Sequence, residues 1–314
     1  MKNVETVSVA HLGGSEIGYC FGEDFDPSRP TLVMVNSFAT SSQLYRPQFS
    51  DNALSDTANL VSFELYGHGK TRTRSEQFTY WDSAIANLQA MDKLNVSSAF
   101  VLGTSQGGWV AARMAMLAPA KIKGIIPLGT SMDYESQQSQ SLGCWNGSEF
   151  NSPLVDALAD PVDESWEPAN EFCDALLAAG FGPDVSDDER AFWHKTLKEN
   201  YAGDDGRKRL RMCAINLRDR DGLYGRLDYV RCPVAWAHGT ADQVYSVKNA
   251  ELGVSKFTKS EDAKLTVIEG GQHFLSASHP EEVNELARSF ISKWSESFTT
   301  TPNVVIGHAT DTRD

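Results

Sequence analysis

Residues 100–117 read FVLGTSQGGWVAARMAML, and their character changes at the glycines in the middle of the stretch. The apolar run FVLG is short and continuous, which is typical of a strand buried on both faces of a parallel sheet. After Gly107, apolar residues recur every three or four positions and predict an amphipathic helix. The stretch therefore places a lone serine, Ser105, at a turn from a strand into a helix.

The turn itself, Gly103-Thr104-Ser105-Gln106-Gly107, fits the pattern Gly-x-Ser-x-Gly. In this setting the serine lies on a tight, strained turn, and glycines flank it because any side chain would clash with the crossing backbone. The turn exposes the hydroxyl at the sheet edge where open α/β folds bind ligands. We therefore predict that Ser105 is a catalytic nucleophile. The alternatives are a glycine-rich turn without a catalytic role and a phosphate-binding loop, although the Lys-Ser/Thr ending of a P-loop is missing.

Strand-like and helix-like segments alternate along most of the chain. Apolar runs typical of buried strands lie within residues 5–22, as a pair, and at 31–36, 59–64, 99–103, 124–129, 233–239 and 264–270. Amphipathic stretches typical of helices separate many of these runs. The alternation predicts an α/β fold with a mostly parallel central sheet that is flanked by helices.

The alternation stops between residues 134 and 225, where no convincing strand is found. Four helices are predicted there, at 151–160, 168–180, 186–200 and 205–219. The pattern indicates an all-helical cap (134–225) inserted into a discontinuous core. That core comprises residues 1–133 and 226–314, of which 298–314 form a C-terminal extension.

Aromatic residues in the predicted cap have two possible roles. They either line an apolar substrate cleft or form the small core that any such group of helices must bury. The candidates for substrate binding are Trp145, Trp166 and Trp193.

A serine hydroxyl needs a base that takes its proton and an acid that orients this base. Of the seven histidines, His273 is the candidate base, because its loop follows the last predicted strand and returns to the edge that carries Ser105. The candidate acid is Asp242, which follows the preceding strand in the sequence HGTADQ. Asp133 is the alternative acid, and a cap of the following helix is the alternative role for Asp242.

Structural roles suit the other histidines better. His68 lies on a turn that could approach the site, and His238 ends a buried strand. The rest are His11, His194, His279 and His308.

Taken together, these motifs resemble the α/β-hydrolase superfamily in its form with a helical cap, and the resemblance covers nearly all of residues 5–297. It is carried by the turn at 103–107, GTAD at 239–242, GQHF at 271–274 and ELYGHGKT at 64–71. The order serine, aspartate, histidine is the one expected of this architecture. By the resemblance, the backbone N–H groups of Phe38 and Gln106 form an oxyanion hole. Members usually carry His-Gly before the first of these two positions, where this chain has Asn36-Ser37.

The resemblance and the proposed triad imply a serine hydrolase that cleaves a carboxylic ester or lactone through an acyl-enzyme on Ser105. A serine at the turn disfavours dehalogenases and epoxide hydrolases, which need a carboxylate nucleophile. Carbon–carbon bond hydrolases use the same triad and stay open. So does a non-hydrolytic role on the same fold, as a lyase, a cofactor-free oxygenase or a ligand-binding receptor.

Composition limits the partners. The 314 residues carry a formal net charge of -14, which disfavours nucleic acids and anionic membranes because like charges repel. The five cysteines are scattered, so neither a disulfide framework nor a metal site is predicted, and no cofactor is expected. No signal sequence and no apolar run of membrane length are found, so we predict a cytoplasmic protein. The aromatic residues of the predicted cap favour a small, largely apolar substrate. A homodimer is compatible with the sequence.

Overall fold

The computed structural model describes residues 1–23 and 25–295, which fold around a sheet of nine strands. The strands are β1 (Glu5–Val9), β2 (Ser15–Phe21), β3 (Thr31–Val35), β4 (Asn59–Phe63), β5 (Arg72–Thr73), β6 (Ala99–Thr104), β7 (Ile122–Leu128), β8 (Val234–Gly239) and β9 (Ala263–Ile268). The proposed C-terminal extension at 298–314, with His308, lies outside the described residues.

Strand order in the sheet is β1-β2-β4-β3-β6-β7-β8-β9, with β5 paired to β2. All neighbours from β4 to β9 along this order pair in parallel, whereas β2 is antiparallel to its neighbours β1, β4 and β5. Every residue of β3, β4, β6 and β8 is buried, because helices cover both faces of the sheet there. The predicted α/β fold with a mostly parallel sheet is thus confirmed.

Two strands differ from the sequence interpretation. The edge strand β9 was expected to be buried like the others, but most of its side chains are at least partly exposed. An edge strand is covered on fewer sides, and hydropathy alone does not distinguish edge from centre. The two-residue strand β5 was not expected, because it contains no apolar run.

Twelve helices accompany the described strands. They are α1 (Arg46–Phe49), α2 (Asn52–Thr57), α3 (Tyr80–Lys93), α4 (Gln106–Leu117), α5 (Gln137–Ser141), α6 (Gly147–Ala157), α7 (Asn170–Phe181), α8 (Asp187–Asn200), α9 (Gly203–Arg218), α10 (Val247–Val254), α11 (Leu275–Ser278) and α12 (Pro280–Ser295). None of the helices in the described ranges is long and apolar enough to span a membrane.

Helices α5–α9 all lie between β7 and β8, in the segment for which the sequence predicts a cap. The polar helix α5 was not expected; it has no apolar period, and the side chain of Ser136 caps it. Helix α6 begins at Gly147, earlier than predicted, because the Asn146 side chain accepts a hydrogen bond from the backbone N–H of Glu149 at its start.

The two ends of this helical segment lie next to each other. Glu135, before α5, forms a buried ion pair with Arg220, after α9. Arg220 also donates a hydrogen bond to the hydroxyl of Tyr245, in the loop after β8, at 3.1 Å. A further ion pair of 2.9 Å joins Arg46 in α1 to Glu189 in α8. These contacts tie the segment that carries α5–α9 to α1 and to the loop after β8.

Candidate active site

Ser105 lies between β6 and α4 with φ of 52° and ψ of -120°, a backbone conformation that residues other than glycine rarely adopt. A Cβ atom at Gly103 would lie 2.1 Å from the carbonyl oxygen of Gly107, and one at Gly107 would lie 2.1 Å from that of Val35. Only glycine fits at either position. The predicted strained turn with obligatory glycines is therefore confirmed.

The backbone of Ser105 is fixed on both sides. Its N–H donates to the carbonyl of Leu128 at 2.9 Å, and its carbonyl accepts from Thr130 Oγ1 at 2.7 Å. The side chain projects instead toward His273, and the distance from Ser105 Oγ to His273 Nε2 is 2.9 Å. The turn thus presents the hydroxyl to an imidazole that follows β9, 168 positions away in sequence.

The ring of His273 is held by a carboxylate and by two aromatic side chains. Its Nδ1 lies 3.1 Å from Oδ1 and 3.0 Å from Oδ2 of Asp242. The rings of Tyr245 and Phe274 each lie 5.5 Å from the imidazole, centre to centre. Since a carboxylate only accepts hydrogen bonds, Nδ1 carries the proton and Nε2 is left to accept one from the Ser105 hydroxyl.

The side chain of Asp242 is completely buried and is surrounded by hydrogen-bond donors. Its Oδ1 accepts from the backbone N–H groups of Val244 (2.8 Å) and Tyr245 (3.0 Å), and Oδ2 lies 3.3 Å from His238 Nε2. Burial opposes ionisation of this carboxyl. The charge and hydrogen bond of His273, the charge of His238 and the amide of Tyr245 outweigh burial and hold the pKa of Asp242 below its usual range.

The structure separates the two candidate acids. Asp133 is also buried, but its carboxylate accepts from the hydroxyls of Ser136 and Ser139, the latter at 2.6 Å, and makes no contact with His273. Asp242 does not cap the next helix either, since α10 is capped by the side chain of Ser246. Of the two carboxylates, only Asp242 is in place to orient the imidazole.

Two backbone amides face no protein acceptor. Among the described residues, neither the N–H of Phe38 nor that of Gln106 donates a hydrogen bond within the chain. Phe38 and Ser105 line one pocket, and Gln106 opens the helix that follows the serine. These are the two amides expected from the family resemblance.

Asn36 explains how the loop keeps its shape without the usual His-Gly pair. Its Nδ2 donates to the carbonyls of Ser37 (3.0 Å) and Thr40 (2.9 Å), and its Oδ1 accepts from the N–H of Leu65 at 3.0 Å. Ser37 has no positive φ, and the left-handed conformation of this loop falls on Ala39 instead, with φ of 55°. Position 37 therefore accepts a serine without a strained φ at that residue.

Two buried histidines behind the site were interpreted from the sequence only as structural residues. His238 Nε2 donates to the carbonyl of Tyr245 at 2.9 Å, beside Asp242. His68 Nε2 accepts from the side-chain Nε2 of Gln106 at 3.0 Å, and burial lowers the pKa of His68 to about 4, so the ring is neutral. The contact between His238 and Asp242 could have been inferred from the sequence, because the two residues lie four positions apart in HGTAD.

A pocket lies over Ser105 and His273; its empty space of about 430 Å³ includes open solvent at the mouth. Its lining is predominantly apolar and comes from both the sheet-edge loops and the inserted helices: Phe38, Trp145, Phe150, Leu176, Leu217, Val244 and Phe274 are among its residues. Of the three tryptophans predicted to bind substrate, Trp145 is therefore at the pocket.

The other two tryptophans lie elsewhere. Trp193 is fully buried in α8, where its ring packs 5.5 Å from that of Phe181 and its Nε1 donates to Glu189 at 2.8 Å. Trp166 precedes α7, and its carbonyl accepts from the N–H of Gly203. Neither lines the pocket: Trp193 belongs to the buried core on one face of the sheet, and Trp166 packs against the core on the other.

The described residues contain no group of three His, Cys, Asp or Glu side chains that could hold a metal ion. All five cysteines are free, and burial raises the pKa of the Cys213 thiol, the one beside His68, to about 12. This thiol is protonated at neutral pH and is therefore a poor nucleophile.

Known proteins that match this chain include a family of hydrolases and a methyl ester esterase. The family profile described as alpha/beta hydrolase fold matches residues 30–280. The chain is 25% identical over 256 residues to a pimeloyl-[acyl-carrier protein] methyl ester esterase from Aromatoleum aromaticum, covering 81% of this chain and 95% of that protein.

Solved structures agree in fold. A hydrolase from Pseudomonas aeruginosa superposes with a TM-score of 0.75 at 20% identity, covering 92% of this chain and 98% of that one. An enol-lactonase from Burkholderia xenovorans superposes with a TM-score of 0.74 at 17% identity, covering 91% and 100%.

Proposed function

This chain belongs to the alpha/beta hydrolase fold family, and from that premise we propose that it is a serine hydrolase of carboxylic esters or lactones. One observation carries the proposal. Ser105 Oγ, His273 and Asp242 form a continuous hydrogen-bonded chain with links of 2.9 and 3.0 Å, and the serine opens into an apolar pocket. This arrangement is suited to generating a nucleophile from a neutral hydroxyl.

In the proposed acylation, Ser105 Oγ attacks the carbonyl carbon of the substrate while its proton passes to His273 Nε2. The imidazolium that forms is stabilised by the buried carboxylate of Asp242. His273 then gives the proton to the leaving alkoxide oxygen, the carbonyl carbon–oxygen bond breaks, and the acyl group stays on Ser105. In a lactone the released hydroxyl remains attached to the acyl group.

In the proposed deacylation, a water molecule takes the place of the alcohol. His273 removes a proton from it, the hydroxide attacks the acyl carbon, and the proton returns to Ser105 as the acid leaves. In both tetrahedral intermediates the oxyanion accepts hydrogen bonds from the N–H groups of Phe38 and Gln106. Each such donor lowers the barrier by roughly 3 kcal/mol.

The pocket supports an apolar acyl group as the substrate class. Inside the pocket only about 40 Å³ is open to the centre of a water-sized sphere, so we propose a small acyl group. The names of similar proteins, a methyl ester esterase and an enol-lactonase, fit a carboxylic ester or lactone. In this proposal α5–α9 form the cap, which supplies Trp145, Phe150 and Leu176 to the acyl site.

Labelling and turnover together test the proposal. Wild-type protein is incubated with a fluorophosphonate, and the modified residue is identified by mass spectrometry. The same samples are screened against p-nitrophenyl acetate, butyrate and octanoate and against γ- and δ-lactones, with Ser105→Ala as the blank. We expect labelling of Ser105 and Ser105-dependent turnover. A folded wild-type protein that shows neither would refute the proposal.

A further inference from the structure

The hydroxyl of Ser37 is an unexplained polar group at the candidate site. The residue is fully buried, and its Oγ has no hydrogen-bond partner within the described chain. Buried hydroxyls are normally paired, because an unpaired hydroxyl loses its bonds to water without replacement. An unpaired hydroxyl at a ligand pocket therefore suggests that its partner comes from outside the chain.

The rest of Ser37 is fully engaged. Its N–H donates to Thr40 Oγ1 at 3.1 Å, and its carbonyl accepts from Thr40 Oγ1 at 2.8 Å and from Asn36 Nδ2 at 3.0 Å. These bonds fix the backbone, so the hydroxyl can move only by rotation about the Cα–Cβ bond. The loop does not use this hydroxyl to hold its own shape.

The position of the hydroxyl relates it to the proposed chemistry. Ser37 lines the same pocket as Ser105 and His273. It directly precedes Phe38, whose N–H faces no protein acceptor. The other two hydroxyls in the lining are engaged: that of Ser105 pairs with His273 Nε2, and that of Tyr245 accepts a hydrogen bond from Arg220. Among the described residues of this predominantly apolar lining, Ser37 thus supplies the one unengaged side-chain hydroxyl.

We propose that the Ser37 hydroxyl donates a third hydrogen bond to the reacting carbonyl oxygen of the substrate, beside the amides of Phe38 and Gln106. The inference rests on the proposed serine hydrolase function and deepens it. The hydroxyl keeps its proton throughout. Its bond strengthens as negative charge develops on the oxygen, so it acts mainly on the transition state.

The test uses two variants that remove the hydroxyl in different ways. Ser37→Ala and Ser37→Gly should each lower kcat about 10- to 100-fold for an ester that the wild type cleaves, with KM within about threefold. The matched control is Ser62→Ala, because Ser62 in β4 is also fully buried with an unpaired Oγ but lies outside the pocket. This control should keep both kinetic constants, and the Tm of every variant is measured.

The outcomes separate the inference from the function on which it rests. If wild-type protein neither labels at Ser105 nor cleaves any ester or lactone, the hydrolase function itself fails. If the wild type is active and Ser37→Ala matches Ser62→Ala, the third donor is refuted. A raised KM at unchanged kcat, or a lowered Tm at unchanged kcat, refutes it as well. A large loss in only one of the two Ser37 variants would show that loop geometry is responsible and would also refute it.

Discussion

Replacing Asp242 by Asn tests the central link of the proposed triad. In the structure Oδ1 accepts two backbone N–H groups, from Val244 and Tyr245, while Oδ2 lies 3.0 Å from His273 Nδ1. An asparagine keeps its carbonyl oxygen toward the two amides, so its NH₂ group points at the imidazole. Because that group donates, His273 must place its proton on Nε2, which then cannot accept the proton of Ser105.

The size of the effect follows from the charge that is removed. A carboxylate and an imidazolium about 3 Å apart attract each other by roughly 5 kcal/mol at an effective dielectric constant of about 20. At 1.36 kcal/mol per factor of ten, a loss of about 4–5 kcal/mol lowers kcat by about 10³- to 10⁴-fold. The fold should persist, because the substitution preserves side-chain size and the bonds to both backbone amides.

The assay compares two matched variants. Steady-state hydrolysis of p-nitrophenyl acetate and the rate of fluorophosphonate labelling at Ser105 are measured for Asp242→Asn and Asp133→Asn. Asp133 is also a buried residue, but the partners of its carboxylate are the hydroxyls of Ser136 and Ser139, so its replacement should cost less than about tenfold. Circular dichroism and thermal unfolding check the fold of both. If Asp133→Asn loses more activity than Asp242→Asn, our assignment of the acid is wrong.

Three further results are expected. Ser105→Ala and His273→Ala should each lower kcat by at least about 10³-fold, and the double variant should be little worse than either, because the two residues act in one step; additive losses in steady-state kinetics would contradict this. Trp145→Ala should change the ratio of kcat/KM between octanoyl and acetyl esters by about tenfold, because truncating a pocket-lining aromatic removes about 1–3 kcal/mol of apolar contact. The control variant Trp193→Ala should lower Tm and leave this ratio unchanged. EDTA should leave activity intact, and a loss that added divalent metal restores would show that a metal takes part.

The fold was predictable because its signals are local. Each central strand is a short apolar run that only a doubly covered sheet can bury, and each long helix has its own apolar stripe. The turn at Ser105 was also predictable, because the clashes that demand glycine at 103 and 107 arise between groups close in sequence or on the adjoining strand. The sequence did not predict the edge position of β9 or the polar helix α5, because the local hydropathy pattern indicates neither of them.

Contacts between distant segments were decided only by the tertiary structure. The sequence left both Asp133 and Asp242 as possible acids, because each follows a strand that ends at the same edge. Distances of a few ångströms decide which carboxylate meets His273, and sequence spacing does not determine them. Likewise, Trp145 and Trp193 are both aromatic residues of the helical segment. Only tertiary packing determines that Trp145 lines the pocket and that Trp193 is buried away from it. By itself, then, the sequence determined the sheet, the strained serine turn and the order of the candidate residues, because hydropathy and backbone sterics act over a few positions. The partner of the imidazole, the lining of the pocket and the unpaired hydroxyl of Ser37 were decided by side chains that only the folded sheet brings together.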